Sequence, residues 1–185
     1  VERGEEPDGN TAVIGLRLLH DACPGLAVAD GERGGGVGTL DGVRALIGEA
    51  ARHGASLVAV DYLQFIDAGQ DAPRGQSARF TAISHGIAAE AKRCGIPVLG
   101  LSSVTKDGAG KLKDGKPDMQ LSKGSSDFAS DAVAVIGLSH DRTVMAEGNT
   151  VLSAYVMKNR NGIAGGADEP VQLAFWGRYG YAEGL

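Results

Sequence analysis

The stretch Ser56-Leu57-Val58-Ala59-Val60-Asp61-Tyr62-Leu63-Gln64-Phe65 decides the fold. An uninterrupted apolar run that follows a glycine and ends at an acid is typical of a buried strand in a parallel sheet. Ligands of open parallel sheets bind at the carboxyl ends of the strands. Asp61 therefore lies where an aspartate can hold the water shell of Mg²⁺ beside a nucleoside triphosphate. The pattern alone leaves a second interpretation open, in which Asp61 only caps the strand or the next turn.

Alternating apolar segments on both sides of this stretch predict an α/β fold. The predicted helices cover Thr11–Ala22, a segment capped by Thr39 and ending before Gly54, Gln76–Cys94 and a turn within Ser125–Asp131. Further predicted strands are Leu26–Ala29, Ile96–Leu101, Ala132–Leu138, Val151–Met157 and Val171–Trp176. A succession of strands and helices favours right-handed crossovers and a mainly parallel sheet.

Length and charge limit the class of protein. The 185 residues predict a single domain, 1–185, with residues 1–10 flexible and residues 103–124 forming a long loop. A formal net charge of −5 argues against a purely electrostatic nucleic-acid binder, although a local basic path remains compatible with it. The sequence has no apolar stretch approaching the roughly 20 residues of a membrane helix, and no signal peptide. We therefore expect a cytoplasmic protein without membrane contacts.

Four motifs, in order, resemble those of the DnaB-type replicative DNA helicases. The segment Asp61-Tyr62-Leu63-Gln64-Phe65-Ile66 resembles the Walker-B segment of that family. The later matches are the strand Gly95 to Ser102, the pair Gly124-Ser125 with the acids Asp127 and Asp131, and the run Lys158-Asn159-Arg160-Asn161-Gly162. The resemblance as a whole covers roughly Leu26 to Trp176.

This resemblance implies a three-layer, RecA-like core of the P-loop NTPase type, with a mainly parallel central sheet that is incomplete on its N-terminal side. It also implies a replicative helicase that uses ATP and Mg²⁺ to translocate on single-stranded DNA and to unwind duplex DNA. In the family, ATP is hydrolysed at the interfaces of a homo-oligomeric ring, typically a hexamer. A primase or a helicase loader is a further partner implied by the resemblance.

A phosphate loop of the form Gly-x-x-x-x-Gly-Lys-Ser/Thr does not occur in the sequence. The nearest match, Gly110-Lys111, has Thr105 and Leu112 at two required positions. The chain also begins with Val1 rather than Met, so we expect it to be a processed chain or a piece of a longer protein. We accordingly expect the 185 residues alone not to hydrolyse ATP.

The resemblance assigns nucleotide contacts to residues at the ends of two strands. Asp61 would hold Mg²⁺ through water, and Gln64 would link the nucleotide state to a loop. A plain structural amide is the slightly favoured alternative for Gln64. The family has Leu-Ser-Gln at the end of the next strand, and that Gln senses the γ-phosphate. Here the sequence is Leu101-Ser102-Ser103, so Ser103 stands in place of that Gln. A serine side chain is shorter and reaches less far, so Ser102 or Ser103 would contact the γ-phosphate through water.

The segment between Ser103 and Gly124 carries five lysines against three aspartates. Lysines along a loop suit phosphate contacts that bring affinity without sequence preference. The resemblance places this loop in the central channel, against single-stranded DNA. The alternative is a solvated loop. The candidate DNA-binding residues are Lys106, Lys111, Lys113, Lys116, Lys123 and Gly124.

Lys158 and Arg160 stand two residues apart at a predicted strand end, which puts both side chains on one face. In the resembled family this pair reaches the γ-phosphate that the neighbouring subunit binds. A planar, permanently charged guanidinium suits the transition-state charge of phosphoryl transfer. The alternative is a pair of exposed basic residues. We expect Asp61, Lys158 and Arg160 to be the catalytic residues.

Two other functions remain compatible with the sequence. One is a recombinase-like or clock-protein-like ATPase of the same superfamily, which the Asp-Tyr-Leu-Gln and Lys-Asn-Arg-Asn-Gly combination fits less well. The other is a non-catalytic module that binds DNA or a protein partner. Ser103 at the sensor position favours that module slightly.

Overall fold

The computed structural model describes residues 25–29, 38–72, 74–103, 129–144, 150–162, 170–177 and 181–185, with side chains given for all of them except 141–144. The described elements are α1 (Leu40–Arg52), β1 (Val58–Val60), a short 3₁₀ helix, η1 (Leu63–Phe65), α2 (Gln76–Cys94), β2 (Val98–Gly100), β3 (Ala134–Val144), β4 (Thr150–Asn159), β5 (Val171–Trp176) and β6 (Tyr181–Gly184).

Both long helices begin and end as their sequences predict. The hydroxyl of Thr39 caps α1 by accepting a hydrogen bond from the N–H of Gly42 at 3.1 Å. Gly95 ends α2 in the left-handed conformation, with φ at 69°, which glycine adopts without the steric cost of a Cβ atom. The predictions for these two helices are confirmed.

The two helices pack on the strand pair β1 and β2 to form the hydrophobic core. The apolar faces of both helices supply most of this core, because their apolar residues recur at helical spacing. Its buried members are Val43, Ile47, Val58, Leu63, Ile66, Phe80, Ile83, Ile87 and Ile96. The core therefore fixes the 3₁₀ helix η1 through Leu63, which follows Asp61 by two residues.

The described strands form two sheets rather than one mainly parallel sheet. Strands β1 and β2 pair in parallel, whereas β3, β4, β5 and β6 form an antiparallel sheet in that order. The expectation of a mainly parallel sheet is not confirmed. A parallel pair needs a long crossover, but only residues 145–149 separate β3 from β4, and such a short connection favours antiparallel pairing.

The predicted strand Leu26–Ala29 is wrong, because these residues are exposed and belong to no strand in the described structure. A strand needs a partner for its backbone groups, and no described strand pairs with this segment. The segment β6 is a strand that the sequence pattern did not predict. The predicted helix Thr11–Ala22 lies outside the described residues.

The pairing of β3 with β4 contains an irregularity near the end of β4. Ile136 lies opposite Val156, but the next residue of β3 towards its start, Val135, lies opposite Lys158. Met157 is therefore an extra residue on β4, as in a β-bulge.

The helices were also compared with the length and hydrophobicity that a membrane span requires. Among the described residues, none of them meets both requirements.

Candidate functional site

Asp61 directly follows β1, at the edge of the sheet where the carboxyl ends of β1 and β2 meet. The parallel pairing continues beyond the strands, because the N–H of Leu101 donates to the carbonyl of Val60 at 2.9 Å. The N–H of Leu63 in turn donates to the carbonyl of Leu101 at the same distance. Asp61 lies between these two bonds and is exposed, so the predicted placement at a strand end agrees with the structure.

The carboxylate of Asp61 has no hydrogen-bond or ion-pair partner in the described part of the chain. The cap residue of the following 3₁₀ helix is Tyr62, and no side chain caps that helix. The capping interpretation of Asp61 therefore has no hydrogen bond to support it within the described residues. A free, exposed carboxylate at this edge is chemically suited to a hydrated divalent cation.

Gln64 connects the segment after β1 to the segment after β2. Its amide Nε2 donates to the hydroxyl oxygen of Ser102 at 2.7 Å and to the carbonyl oxygen of Ser103 at 2.9 Å. Its Oε1 accepts from the backbone N–H of Ser103 at 3.4 Å. The half-buried Gln64 thus fits the interpretation of a structural amide that ties two backbones together. The same bonds also put it next to Ser103, at the position where the resembled family has a glutamine.

Lys158 and Arg160 converge on one backbone carbonyl. Lys158 Nζ donates to the carbonyl oxygen of Ser130 at 2.9 Å and also to that of Ala129. The Nη2 of Arg160 donates to the same oxygen of Ser130 at 2.5 Å. Both acceptors belong to a helical turn, residues 129–131, whose last carbonyls favour nearby cations. The prediction that the two side chains share a face agrees with this geometry.

Burial lowers the pKa of Lys158, and the neighbouring positive charge of Arg160 lowers it further. The carboxylate of Asp131 acts in the opposite direction. Among the described residues, neither Lys158 nor Arg160 forms an ion pair with a carboxylate, and Arg160 is exposed. The positive charge of this pair is therefore only weakly compensated and can attract an anion.

Asp131 connects this turn to the middle of α2. The hydroxyl of Ser84 donates to Asp131 Oδ2 at 2.5 Å, and His85 Nε2 lies 3.3 Å from the same oxygen. The sequence marked Asp131 only as an acid after a Gly-Ser pair. Its partners on α2 are 46 and 47 positions away, which no short motif reveals, and the carbonyls of Ala129 and Ser130 are backbone atoms that carry no residue signature.

The structure forms two groups from the predicted site residues. Gln64, Ser102 and Ser103 come together beside Asp61, and Lys158 joins Arg160. No hydrogen bond or ion pair links the two groups in the described parts of the chain. The predicted DNA-binding residues Lys106, Lys111, Lys113, Lys116, Lys123 and Gly124 lie outside the described residues. A cluster of three or more His, Cys, Asp or Glu side chains suited to a metal does not occur among the described ones.

Comparison with known families gives one match that covers most of the chain. The family described as the DnaB-like helicase C terminal domain matches residues 39–181. This range includes Asp61, Gln64 and the pair Lys158 and Arg160. A search of curated proteins finds no match.

Many solved structures resemble this chain in fold, and the two that follow are among them. The first is described as an ATPase domain, with a TM-score of 0.66 and 22% sequence identity over 80% of this chain. The second, described as a DnaB-like replicative helicase and its interactions with primase, gives the same TM-score, identity and coverage of this chain. The match spans 51% of the first protein and 36% of the second. At this identity the likeness shows the fold alone.

Proposed function

Because this chain belongs to the family of DnaB-like helicase C-terminal domains, we propose that it forms part of an ATP-dependent replicative DNA helicase. The full-length protein would assemble as a ring, most simply a hexamer, with ATP bound between subunits. Hydrolysis at those interfaces would drive translocation on single-stranded DNA and unwinding of the duplex. A site split across an interface suits this task, because hydrolysis can then change the contact between neighbours.

The observation that carries the proposal is the free carboxylate of Asp61 at the shared carboxyl edge of β1 and β2. Mg²⁺ in nucleotide sites keeps several waters and takes one or two carboxylates together with phosphate oxygens. A single unpaired aspartate suits this set of ligands better than a closed cluster of acids would. Asp61 would hold the ion through water, and the bound ion would neutralise charge on the phosphates of ATP.

Gln64 would fix the position of Ser102 and Ser103 relative to Asp61. Three hydrogen bonds hold these residues in register across the end of the sheet. Ser103 stands at the position of the sensor glutamine of the resembled family, and its backbone rather than its side chain is bonded to Gln64. Ser102 and Ser103 would therefore contact the γ-phosphate through water, and Gln64 would orient them.

Lys158 and Arg160 would serve the nucleotide of the neighbouring subunit. Their present acceptor at Ser130 is a neutral carbonyl oxygen. Charge-assisted hydrogen bonds to an anionic phosphate oxygen are roughly twice as strong as neutral ones. A phosphate brought within reach could therefore compete with the carbonyl for both cations. Arg160 in particular could stabilise the charge of the transferring phosphoryl group.

Single-stranded DNA, and a primase or loader, are the partners that we propose for the full-length protein. The support for DNA contact is the excess of lysine over aspartate between Ser103 and Gly124. Such contacts would be sequence-independent and would weaken as the salt concentration rises.

The proposal is tested by the ATPase rate of the full-length protein. We expect Asp61→Asn to reduce kcat on the order of 100-fold or more, because metal-assisted charge stabilisation is worth several kcal/mol. The matched control is Asp71→Asn, which makes the same change at an exposed loop residue and should leave the rate unchanged. The 185-residue chain alone should show no turnover.

An Asp61→Asn variant with wild-type turnover would contradict the proposal. If the wild-type full-length protein bound DNA but hydrolysed no ATP, the non-catalytic DNA- or partner-binding module would be the better description. Ser103 at the sensor position is the residue that favours this second function.

A further inference from the structure

The helical turn at residues 129–131 is bonded on two sides. On one side its carbonyl oxygens accept hydrogen bonds from Lys158 and Arg160. On the other side the carboxylate of Asp131 accepts a hydrogen bond from Ser84 and lies close to His85, both on α2. The turn is thus the described link between α2 and the basic pair.

The anchor on α2 is rigid. Ser84 is 6% exposed and directly follows Ile83, which is 1% exposed and lies within the hydrophobic core. The Asp131 side chain is 22% exposed, so water competes only partly for its hydrogen bond. Hydrogen bonds to a charged group are stronger than neutral ones, and a sheltered position preserves that strength. If Asp131 lost its bond to Ser84, the turn would no longer be held to the buried part of α2.

We propose that Asp131 is the positioning residue of the Lys158 and Arg160 pair: its carboxylate anchors the turn to α2, and the carbonyls of the turn hold both cations together at one place. This inference rests on the proposed function, in which the pair completes the neighbouring subunit's ATP site. Asp131 itself touches neither nucleotide nor DNA in this scheme.

Electrostatics support the same role. Two cations that share one acceptor repel each other, and burial adds to the cost of charging Lys158. The negative charge of Asp131 offsets part of that cost, since it shifts the pKa of Lys158 upwards against the effects of burial and of Arg160. Loss of this carboxylate would therefore release the turn and remove a negative charge that favours the protonated form of Lys158.

The first test is the kinetics of ATP hydrolysis by the full-length protein. Asp131→Ala should lower kcat about tenfold and change KM for ATP less than about twofold, because the pair stabilises transition-state charge rather than bound ATP. Asp131→Asn can still accept the hydrogen bond from Ser84, so it should lose less activity than Asp131→Ala. Asp71→Ala is the matched control and should behave as wild type.

The second test mixes variants within one ring, because a merely structural role would not give the same result. Subunits with Asp131→Ala keep their own Asp61, and subunits with Asp61→Asn keep an intact basic pair. If the two variants are mixed at random in equal amounts, roughly a quarter of the interfaces combine an intact Asp61 from one subunit with an intact basic pair from its neighbour. The mixture should therefore hydrolyse ATP faster than the mean of the two separate variants. A double variant, Lys158→Ala with Arg160→Ala, mixed in the same way, is the reference for action across the interface.

The outcomes separate the two proposals. If both mixtures gain activity, the positioning role is supported. If only the Lys158 and Arg160 variant gains activity, or if Asp131→Ala has wild-type kcat, the role of Asp131 is overturned while the proposed function stands. If the Lys158 and Arg160 reference itself fails to gain activity, action across the interface is wrong, and both proposals lose their basis.

A second substitution keeps the test decisive if Asp131→Ala fails to fold. Ser84→Ala removes only the hydroxyl that donates to Asp131 and leaves the carboxylate near Lys158. It should lower kcat about threefold with an unchanged KM, because the loss of the hydrogen bond to Asp131 acts through the position of the turn. A wild-type kcat for a folded Ser84→Ala ring would contradict the anchoring step.

Discussion

The side-chain amide of Gln64 and the backbone of Ser103 form a reciprocal pair: Nε2 donates to the Ser103 carbonyl at 2.9 Å while Oε1 accepts from its N–H at 3.4 Å. The amide thereby imitates one rung of a strand pairing at a point where neither segment is a strand. This pair ties the 3₁₀ helix after β1 to the segment after β2, beyond the ends of both strands. Together with the bond from Leu63 N–H to the Leu101 carbonyl, it holds the two segments beside Asp61 against each other.

Gln64→Ala should lower the free energy of unfolding of the 185-residue chain by about 1 kcal/mol. Three hydrogen bonds disappear, but the site is partly open to water, so each contributes only a fraction of its strength in a dry interior. Chemical denaturation followed by circular dichroism measures the change. Gln76→Ala, at an exposed position of α2, is the control and should differ little from wild type.

Amide hydrogen exchange gives a direct readout at Ser103. Its N–H should exchange faster in Gln64→Ala, because its acceptor is removed. Unchanged protection at Ser103 would show that another group holds this segment.

Two helical glycines should differ in how their replacement by alanine changes the stability of the chain. A Cβ atom on Gly48 of α1 would meet its nearest neighbours at 3.5 and 3.6 Å, which is ordinary contact. Gly48→Ala should therefore stabilise the chain by about 1 kcal/mol through helix propensity and a less flexible unfolded state. On Gly86 of α2 the same atom would lie 2.9 Å from both methyl carbons of Leu40. Gly86→Ala should stabilise less than Gly48→Ala, or destabilise.

A double-mutant cycle tests the cause at Gly86. If the methyl groups of Leu40 oppose the substitution, Gly86→Ala should become stabilising once Leu40→Ala has removed them. The readout is the free energy of unfolding of the two single variants and the double variant. Simple additivity would show that the crowding at Gly86 has no energetic effect.

Glu90 should stabilise the chain above pH 4.5 and lose this effect in acid. Its side chain is 7% exposed, and the hydrogen bond from Arg93 holds the pKa of its carboxyl below the ordinary value of 4.5. A carboxyl whose pKa is lower in the folded state contributes stability above the unfolded value, and that contribution disappears as the pH falls through the folded value.

The test of this prediction compares the wild type with Glu90→Gln by urea denaturation between pH 7 and pH 3. The wild type should be more stable at neutral pH, and the difference should shrink below pH 4.5. A difference that does not depend on pH would mean that the shape of the side chain matters and its charge does not.

Lys158 should lose its proton at a lower pH than an ordinary lysine, whose pKa is 10.5. Burial is the larger cause and Arg160 the smaller, so Arg160→Gln should raise the pKa of Lys158 without restoring it fully. Asp131→Asn should lower it further. NMR titration of the labelled lysine Cε measures all three pKa values.

The lowered pKa of Lys158 also makes the free energy of unfolding depend on pH. Between the lowered pKa of Lys158 and 10.5 the unfolded chain binds the extra proton more readily than the folded chain does. The contribution of this residue to stability therefore rises with pH across that window. In Lys158→Met this pH-dependent contribution should be absent.

Local signals in the sequence predict the half of the fold that surrounds Asp61. Thr39 and Gly95 mark helix ends through cap chemistry, and the apolar spacing of Val43 and Ile47 marks the buried face. These features depend on neighbours within a few residues, which the sequence shows directly. The placement of Asp61 after a parallel strand follows for the same reason.

The antiparallel sheet was not predicted, because pairing depends on partners far along the chain. The apolar run of β3 shows that it is a strand but not in which direction its partner runs. The short connection 145–149 was the available signal, since it leaves no room for a crossover. The bonds from Ser84 to Asp131 and from Arg160 to Ser130 are long-range contacts of the same kind.

The extra residue at Met157 affects which insertions and deletions the end of β4 can accept. In an unbroken ladder Lys158 would lie opposite Ala134, on the same face as Ile136, but in the observed register it lies opposite Val135. A chain that lacked Met157 would keep the lysine opposite Val135 in a regular ladder. A chain with one more residue before Lys158 would need a second irregularity to do so. Among related sequences, single deletions at this point should therefore be tolerated better than single insertions.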